Sequence, residues 1–315
     1  MTERGYDPDF QAILPLLPTE MDLSSAEKVQ ATRDNRALFG EPPPARDDVL
    51  AEDRRVPGPD GAPDVAIRIY RPKQAAQGPL PGVLEIHGGG FMFGSIDMMD
   101  PWCQRVSAEV GAVVVSVEYR LAPEHPFPAG VEDCYAALAW TAREAAALGI
   151  DPKRIAVAGQ SAGGGLAAAT ALLARDRGGP ELCFQLLEIP ELDDRLETPS
   201  MTAFTDTPLW NRPNAIWSWR HYLGPDHEGE VSPYAAPSRA EDLSTLPPAY
   251  VSTMEFDPLR DEGILYALRM LQAGVSVELH SYAGTFHGSG LLPHADASLR
   301  NVEEVAHLLK RKLSG

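Results

Sequence analysis

Two glycine-rich segments carry residue types suited to acyl transfer: His87-Gly88-Gly89-Gly90 and Gly159-Gln160-Ser161-Ala162-Gly163. A serine with glycine at −2 and +2 fits a strained strand-to-helix turn that presents its hydroxyl as a nucleophile. The glycines of the first segment can offer backbone N–H groups to an oxyanion. In a chain with 27 glycines the bare Gly-x-Ser-x-Gly pattern says little, so its setting decides. Arg154-Ile155-Ala156-Val157-Ala158 reads as a buried strand, and residues 162–174 are small and helix-prone. Gly163-Gly164-Gly165 would ordinarily weaken a helix start, but here it allows close approach to a sheet. The competing reading is a glycine-rich turn without chemistry.

A serine hydroxyl needs a base to take its proton and a carboxylate to fix that base. Where such an elbow is used, the chain order is serine, acid, histidine. Asp257, in Glu255-Phe256-Asp257-Pro258-Leu259-Arg260-Asp261-Glu262-Gly263, and His287, in Gly284-Thr285-Phe286-His287-Gly288, each follow a strand-like run. Asp261 falls within the following helix, where it can complement the dipole, and Glu255 within the strand. Among the other histidines, His280 lies inside a strand, and His294 and His307 belong to the C-terminal helix or its approach. His125 sits in a proline-rich turn, and His221 and His227 in an irregular segment. The candidate triad is therefore Ser161, Asp257 and His287, with Gly88, Gly89 and Ala162 as oxyanion donors. His87 is assigned to shaping its loop, not to proton transfer.

Positioning these residues requires strands that end at a common edge. Strand-like runs occur at 49–56, 65–70, 82–87, 112–119, 154–159, 183–189, 249–255 and 275–282, with helical stretches at 98–110, 130–148, 162–175, 260–273 and 297–313. Alternation of this kind predicts an α/β fold: a mostly parallel eight-stranded sheet flanked by helices, its first two strands antiparallel. Two segments break the pattern. Residues 1–48 read as short helices, with Ser24 and Glu27 spaced as a capping box, Phe39-Gly40 as a helix end and Pro42-Pro43-Pro44 as a break. Residues 191–234 hold Trp210, Trp217 and Trp219. Both are expected to form one helical cap over the C-terminal edge of the sheet, on a core of residues 49–190 and 235–315. The tryptophans would line a substrate pocket; alternatively they seal a helix onto the core.

Composition narrows the partners. With 27 basic and 45 acidic residues the net charge is −18, which disfavours nucleic acid and anionic membrane and suits a neutral small molecule. Hydrophobic residues at 44% are enough for a large core. Cys103, Cys134 and Cys183 have neither metal-ligand spacing nor an even count, which points to reduced thiols and a cytoplasmic setting. Residues 1–9 are polar and acidic, and no apolar run is long enough to span a membrane, so neither secretion nor insertion is expected. No metal site is expected.

Together with Tyr119-Arg120-Leu121-Ala122-Pro123-Glu124-His125-Pro126-Phe127-Pro128-Ala129, these motifs resemble the hormone-sensitive-lipase family of α/β-hydrolases, particularly its bacterial carboxylesterases. The resemblance covers residues 80–290. It implies the same triad and oxyanion donors, esters of short to medium acyl chain as substrates, no cofactor, and a cap made from the N-terminus and an insertion after the sixth strand. Homodimers are common in such relatives. That family's elbow usually carries aspartate or threonine before the serine; Gln160 stands there instead, without removing a reacting group. The expected function is hydrolysis of carboxylic esters through an acyl-enzyme. Alternatives are amide, carbamate or lactone hydrolysis by the same triad, or a non-catalytic small-molecule receptor, which would generally lack a working histidine.

Overall fold

A computed structural model describes residues 5–35, 46–74, 77–292 and 295–314. Phe39-Gly40, Pro42-Pro43-Pro44 and His294 lie outside the described residues. After 3₁₀ turns at Pro8–Phe10 and Leu14–Leu16, the elements are α1 (Ala26–Asp34), β1 (Val49–Val56), β2 (Val65–Pro72), β3 (Leu80–Ile86), α2 (Ile96–Val110) and β4 (Val113–Glu118). There follow α3 (Ala129–Arg143), α4 (Ala145–Leu148), β5 (Ile150–Gln160), α5 (Ala162–Asp176), β6 (Phe184–Glu188), α6 (Pro199–Ala203) and α7 (Arg212–Leu223). The chain closes with β7 (Ala249–Phe256), α8 (Arg260–Gln272), β8 (Val277–Phe286) and α9 (Asp296–Leu313).

The eight strands form one sheet in the order β1-β2-β4-β3-β5-β6-β7-β8. β2 runs antiparallel to both β1 and β4, and every pairing from β4 to β8 is parallel. The expected fold class is therefore observed. Side-chain alternation sends successive residues of one strand into opposite layers. Val113, Val115 and Val117 pack with α3, α5 and α8 residues such as Leu138, Leu166 and Tyr266. Val114, Ala156 and Ala158 pack on the other face with Cys103 and Val106 of α2 and Leu309 of α9. Helix α5 is buried from Ala162 through Ala174, as a sequence apolar but for Thr170 requires of a helix covered on every side.

At the open edge, β1 buries only its terminal valines and exposes the six residues between them. Charges there guard the edge: Arg68 of β2 pairs with Asp53, and Arg54 with Glu52. Two expectations need correction. The single helix expected at 130–148 is interrupted at Glu144 and closes on Gly149 in the left-handed conformation. The capping box expected at Ser24 and Glu27 does not form, and the N-cap lies one residue further on. Ser25 caps α1 by accepting from Lys28 N, whereas Ser24 donates through its hydroxyl to Asp22 Oδ1 at 2.6 Å.

The N-terminal segment and the segment around α7 touch closely. Asn211 Nδ2 donates to Thr19 O at 2.7 Å, His221 Nε2 to Leu23 O at 2.8 Å, and Leu209 N to Pro18 O at 2.8 Å. Leu23 and Val29 share an apolar cluster with Met92, Met201, Trp210 and Ala215. Arg33 of α1 also reaches the sheet edge, donating to Met92 O and Ala122 O and pairing with Glu124.

Candidate active site

The candidate residues sit where parallel strands end. Register aligns Ile86 with Gly159, Gln160 with Glu188 and Phe256 with Phe286, so the loops after β3, β5, β6, β7 and β8 open on one rim. This is the edge where open α/β sheets gather ligands.

Ser161 joins β5 directly to α5 with φ 56° and ψ −124°, a left-handed backbone that a non-glycine residue adopts only under constraint. That constraint comes from three hydrogen bonds. Ser161 N donates to Glu188 O at 2.9 Å, and Ser161 O accepts from Gly165 N and Glu191 N, each at 3.0 Å. Flanking glycines are needed for space. A Cβ at Gly159 would lie 2.1 Å from Gly163 O, and one at Gly163 would lie 2.0 Å from Ile86 O.

Ser161 Oγ donates to His287 Nε2 at 2.9 Å, and His287 Nδ1 donates to Asp257 Oδ2 at 2.8 Å. All three side chains are buried, Asp257 completely. The second oxygen of Asp257 accepts from Leu259 N at 2.8 Å, which fixes the carboxylate plane. A carboxylate can only accept, so Nδ1 carries the proton and Nε2 faces the serine as a lone pair. The rival acids are engaged elsewhere: Asp261 accepts from Ser200 N, and Glu255 from Gly284 N. Among the rival histidines, His280 pairs with Glu304, and His221 is bound to the N-terminal segment.

Ala162 is the first residue of α5, where an N–H has no acceptor within its helix. Gly88 packs against the elbow so closely that a Cβ there would lie 2.8 Å from Gln160 O. Among the described residues, the N–H groups of Gly88 and Gly89 donate to no protein acceptor, while the loop's carbonyls are held. His87 Nδ1 donates to Gly88 O at 2.9 Å, Met92 N and Phe93 N donate to Gly89 O, and Ser218 Oγ donates to Gly90 O at 3.0 Å. His87 is fully buried, stacks on Tyr119 and is lowered to about 4 by desolvation, so it stays neutral.

The three tryptophans separate. Trp210 lies beside His287, with ring centroids 5.9 Å apart. Trp219 packs in the core near Phe91 and Tyr222, and Trp217 stacks on His221 under Arg220. The ring contacts of Trp217 and Trp219 thus lie away from the serine–histidine pair.

Sequence reasoning passed over a set of buried acids behind the elbow. Glu188 accepts from Gln160 Nε2 at 3.1 Å and is raised to about 7 by burial. Gln160, the unusual residue of the elbow, thus supplies a neutral donor to a desolvated carboxyl. Glu191 is raised to about 8, again by burial. Glu262 lies well above the ordinary carboxyl range for the same reason, and its Oε1 accepts from Leu192 N at 2.6 Å. For Glu188 and Glu191 the signal was two glutamates in the otherwise apolar run Leu186-Leu187-Glu188-Ile189-Pro190-Glu191, the first ending β6 and the second just past it.

Comparison with known proteins agrees with this geometry. The family profile described as alpha/beta hydrolase fold matches residues 83–290. Carboxylesterase NlhH of Mycobacterium tuberculosis (strain CDC 1551 / Oshkosh) is 43% identical over 286 residues, covering 90% of this chain and 88% of that protein. Ethyl acetate hydrolase of Pseudomonas putida is 34% identical, with 76% of each covered. Among solved structures, a bacterial heroin esterase superposes with a TM-score of 0.94 at 54% identity over 99% of both chains. With an elbow serine, a histidine and a carboxylate joined at the rim of an eight-stranded sheet, the chain belongs to the α/β-hydrolase-fold family, in its hormone-sensitive-lipase-like branch.

Proposed function

We propose that this protein is a serine carboxylesterase that hydrolyses esters of short to medium acyl chain through an acyl-enzyme. The observation that carries this reading is the continuous hydrogen-bonded path from Ser161 Oγ through His287 to Asp257. The esterase names of the similar proteins support it.

Ser161 Oγ attacks the ester carbonyl as its proton passes to His287 Nε2. The resulting oxyanion is met by Gly88, Gly89 and Ala162 N–H. Each such donor is worth on the order of 3 kcal/mol in the transition state. His287 then protonates the leaving alcohol, activates a water and returns to its neutral form as Ser161 is released. Asp257 stabilises the imidazolium at both stages. No step calls for a metal or cofactor.

The described residues of segments 1–48 and 191–234 form the cap on a core drawn from the described residues of 49–190 and 235–315. Trp210 is the pocket wall nearest the chemistry, while Trp219 holds α7 on the core and Trp217 lies outside the pocket. Among the described residues no helix is long and apolar enough to cross a membrane. We place the protein in the cytoplasm and read it as a homodimer. Sedimentation at micromolar concentration tests that assembly.

The deciding experiment is hydrolysis of p-nitrophenyl esters from acetate to palmitate by the native protein and Ser161→Ala. Loss of several orders of magnitude in the variant, with an optimum at short to medium chains, is expected. An inactive, folded native protein would instead favour a receptor or an amide, carbamate or lactone hydrolase.

A further inference from the structure

Three consecutive residues of the glycine loop, Gly89, Gly90 and Phe91, have φ of 121°, 56° and 57°. Phe91 carries a side chain, so its left-handed backbone persists only where neighbours enforce it. Gly89 lies hard against the far end of the same loop. Its carbonyl accepts from Met92 N at 3.0 Å and Phe93 N at 2.8 Å, and a Cβ on it would fall 2.4 Å from Phe93 O. A shift of Met92 and Phe93 is therefore passed to Gly89. The Gly88 and Gly90 carbonyls have ties of their own, from His87 and Ser218, whereas Gly89 depends on where Met92 and Phe93 stand.

Met92 is held from outside the loop by Arg33, near the end of α1. Arg33 Nε donates to Met92 O at 2.8 Å, and Nη2 donates to Ala122 O at 2.7 Å. The end of the guanidinium grips Glu124 through Nη1 and Nη2 at 2.8 and 2.9 Å, and Nη1 also donates to Gln30 Oε1 at 3.2 Å. All five N–H groups have acceptors, which fixes the plane of the group. Ala122 N in turn donates to Phe91 O at 3.0 Å. The guanidinium thus closes a ring, through Met92 and Ala122, that contains the strained Phe91. An ion pair with Glu124 would be enough to dock α1; the two carbonyl bonds add a hold on the loop's backbone.

We propose that Arg33 is a positioning residue for the reaction: acting through Met92 and Phe93, it keeps Gly89 in place and so aims the Gly88 and Gly89 N–H groups at the oxyanion. This inference rests on the esterase reading and on the assignment of those two glycines as oxyanion donors. The role belongs to the planar fork and not to the charge. A lysine ammonium is a single point of donation and cannot meet two carbonyls and a carboxylate in this arrangement.

The test compares the native protein with Arg33→Ala, Arg33→Lys and Glu124→Gln, each checked by circular dichroism, on p-nitrophenyl acetate and on a trifluoromethyl ketone inhibitor. Ser161 Oγ adds to the ketone carbonyl carbon as its proton passes to His287, and the carbonyl oxygen becomes an oxyanion with no leaving group to follow. Inhibitor affinity therefore reads how well the oxyanion is held. Arg33→Ala and Arg33→Lys should each lose about tenfold or more in kcat and in ketone affinity, with KM changed less than about threefold. Glu124→Gln, which still accepts from the fork, should stay within about threefold of native in all three quantities. Native kcat and ketone affinity in Arg33→Ala overturn the proposal, as does a rise in KM with kcat kept, which would make the residue a fastener of the cap alone. Full activity in Arg33→Lys, or a loss in Glu124→Gln equal to that in Arg33→Ala, overturns it too, since charge would then suffice. Should Arg33→Ala not fold, the other two variants decide. Ser161→Ala separates the levels: if it still hydrolyses ester, the esterase reading itself fails. If it is dead while the Arg33 variants behave as native, only the positioning role fails.

Discussion

The Trp210 indole bridges the base and the glycine loop: its ring lies 5.9 Å from that of His287, and a Cβ at Gly90 would fall 2.4 Å from its Cη2. Trp210→Ala should widen the space beside the base and shift the acyl-chain optimum by two or more carbons, with a smaller effect on acetate. A p-nitrophenyl ester series reads this directly. Trp219→Ala should instead lower stability by about 3–5 kcal/mol, because it empties a core position. Trp217→Ala should do little to either.

Asp257→Asn should retain the fold and lose about 10⁴-fold in kcat. An asparagine that donates to Nδ1 holds the imidazole in the wrong tautomer, with its proton facing Ser161. Single-turnover kinetics would show slow acylation with KM little changed.

Gly163→Ala should cost far more than an ordinary helix substitution, which would gain about 1 kcal/mol. The new methyl meets Ile86 O at 2.0 Å and His87 O at 2.5 Å, both immovable strand-end carbonyls. Loss of soluble protein, or a melting temperature lowered by many degrees, is the expected outcome in thermal denaturation.

Glu188 predicts how stability varies with pH. Its folded value, raised to about 7 from 4.5, means the folded protein holds a proton that the unfolded chain releases. Its contribution is complete below 4.5 and is lost as pH rises through about 7, by on the order of 3 kcal/mol at most. Glu188→Gln should therefore be more stable than native at pH 8, the gap closing toward pH 4.5, in urea titrations.

Much of this was legible in the sequence because it depends on local pattern. Val113, Val114, Val115 and Val117 make a run broken only by Ser116, close to what a strand covered on both faces requires, and Ser161 announces its turn through the glycines on either side. That Asp257 and His287 would stand near Ser161 could be read from the strand-like run each one follows. What escaped depends on tertiary contact. Asp22 captured Ser24 and moved the cap of α1 to Ser25. Which of the three tryptophans seals α7 onto the core, and the pairing of Gln160 with Glu188, follow from neighbours that no spacing rule brings together.

The three backbone bonds that fix Ser161 use only its N–H and C=O, so nothing in the frame depends on its hydroxyl. Reactivity and architecture are therefore separately editable at this position. A thiol or a methyl would inherit the same strained perch, turning the hydrolase into a differently tuned acyl acceptor or a silent trap for intact ester. Descent from catalyst to sensor would need one side chain, not a new scaffold.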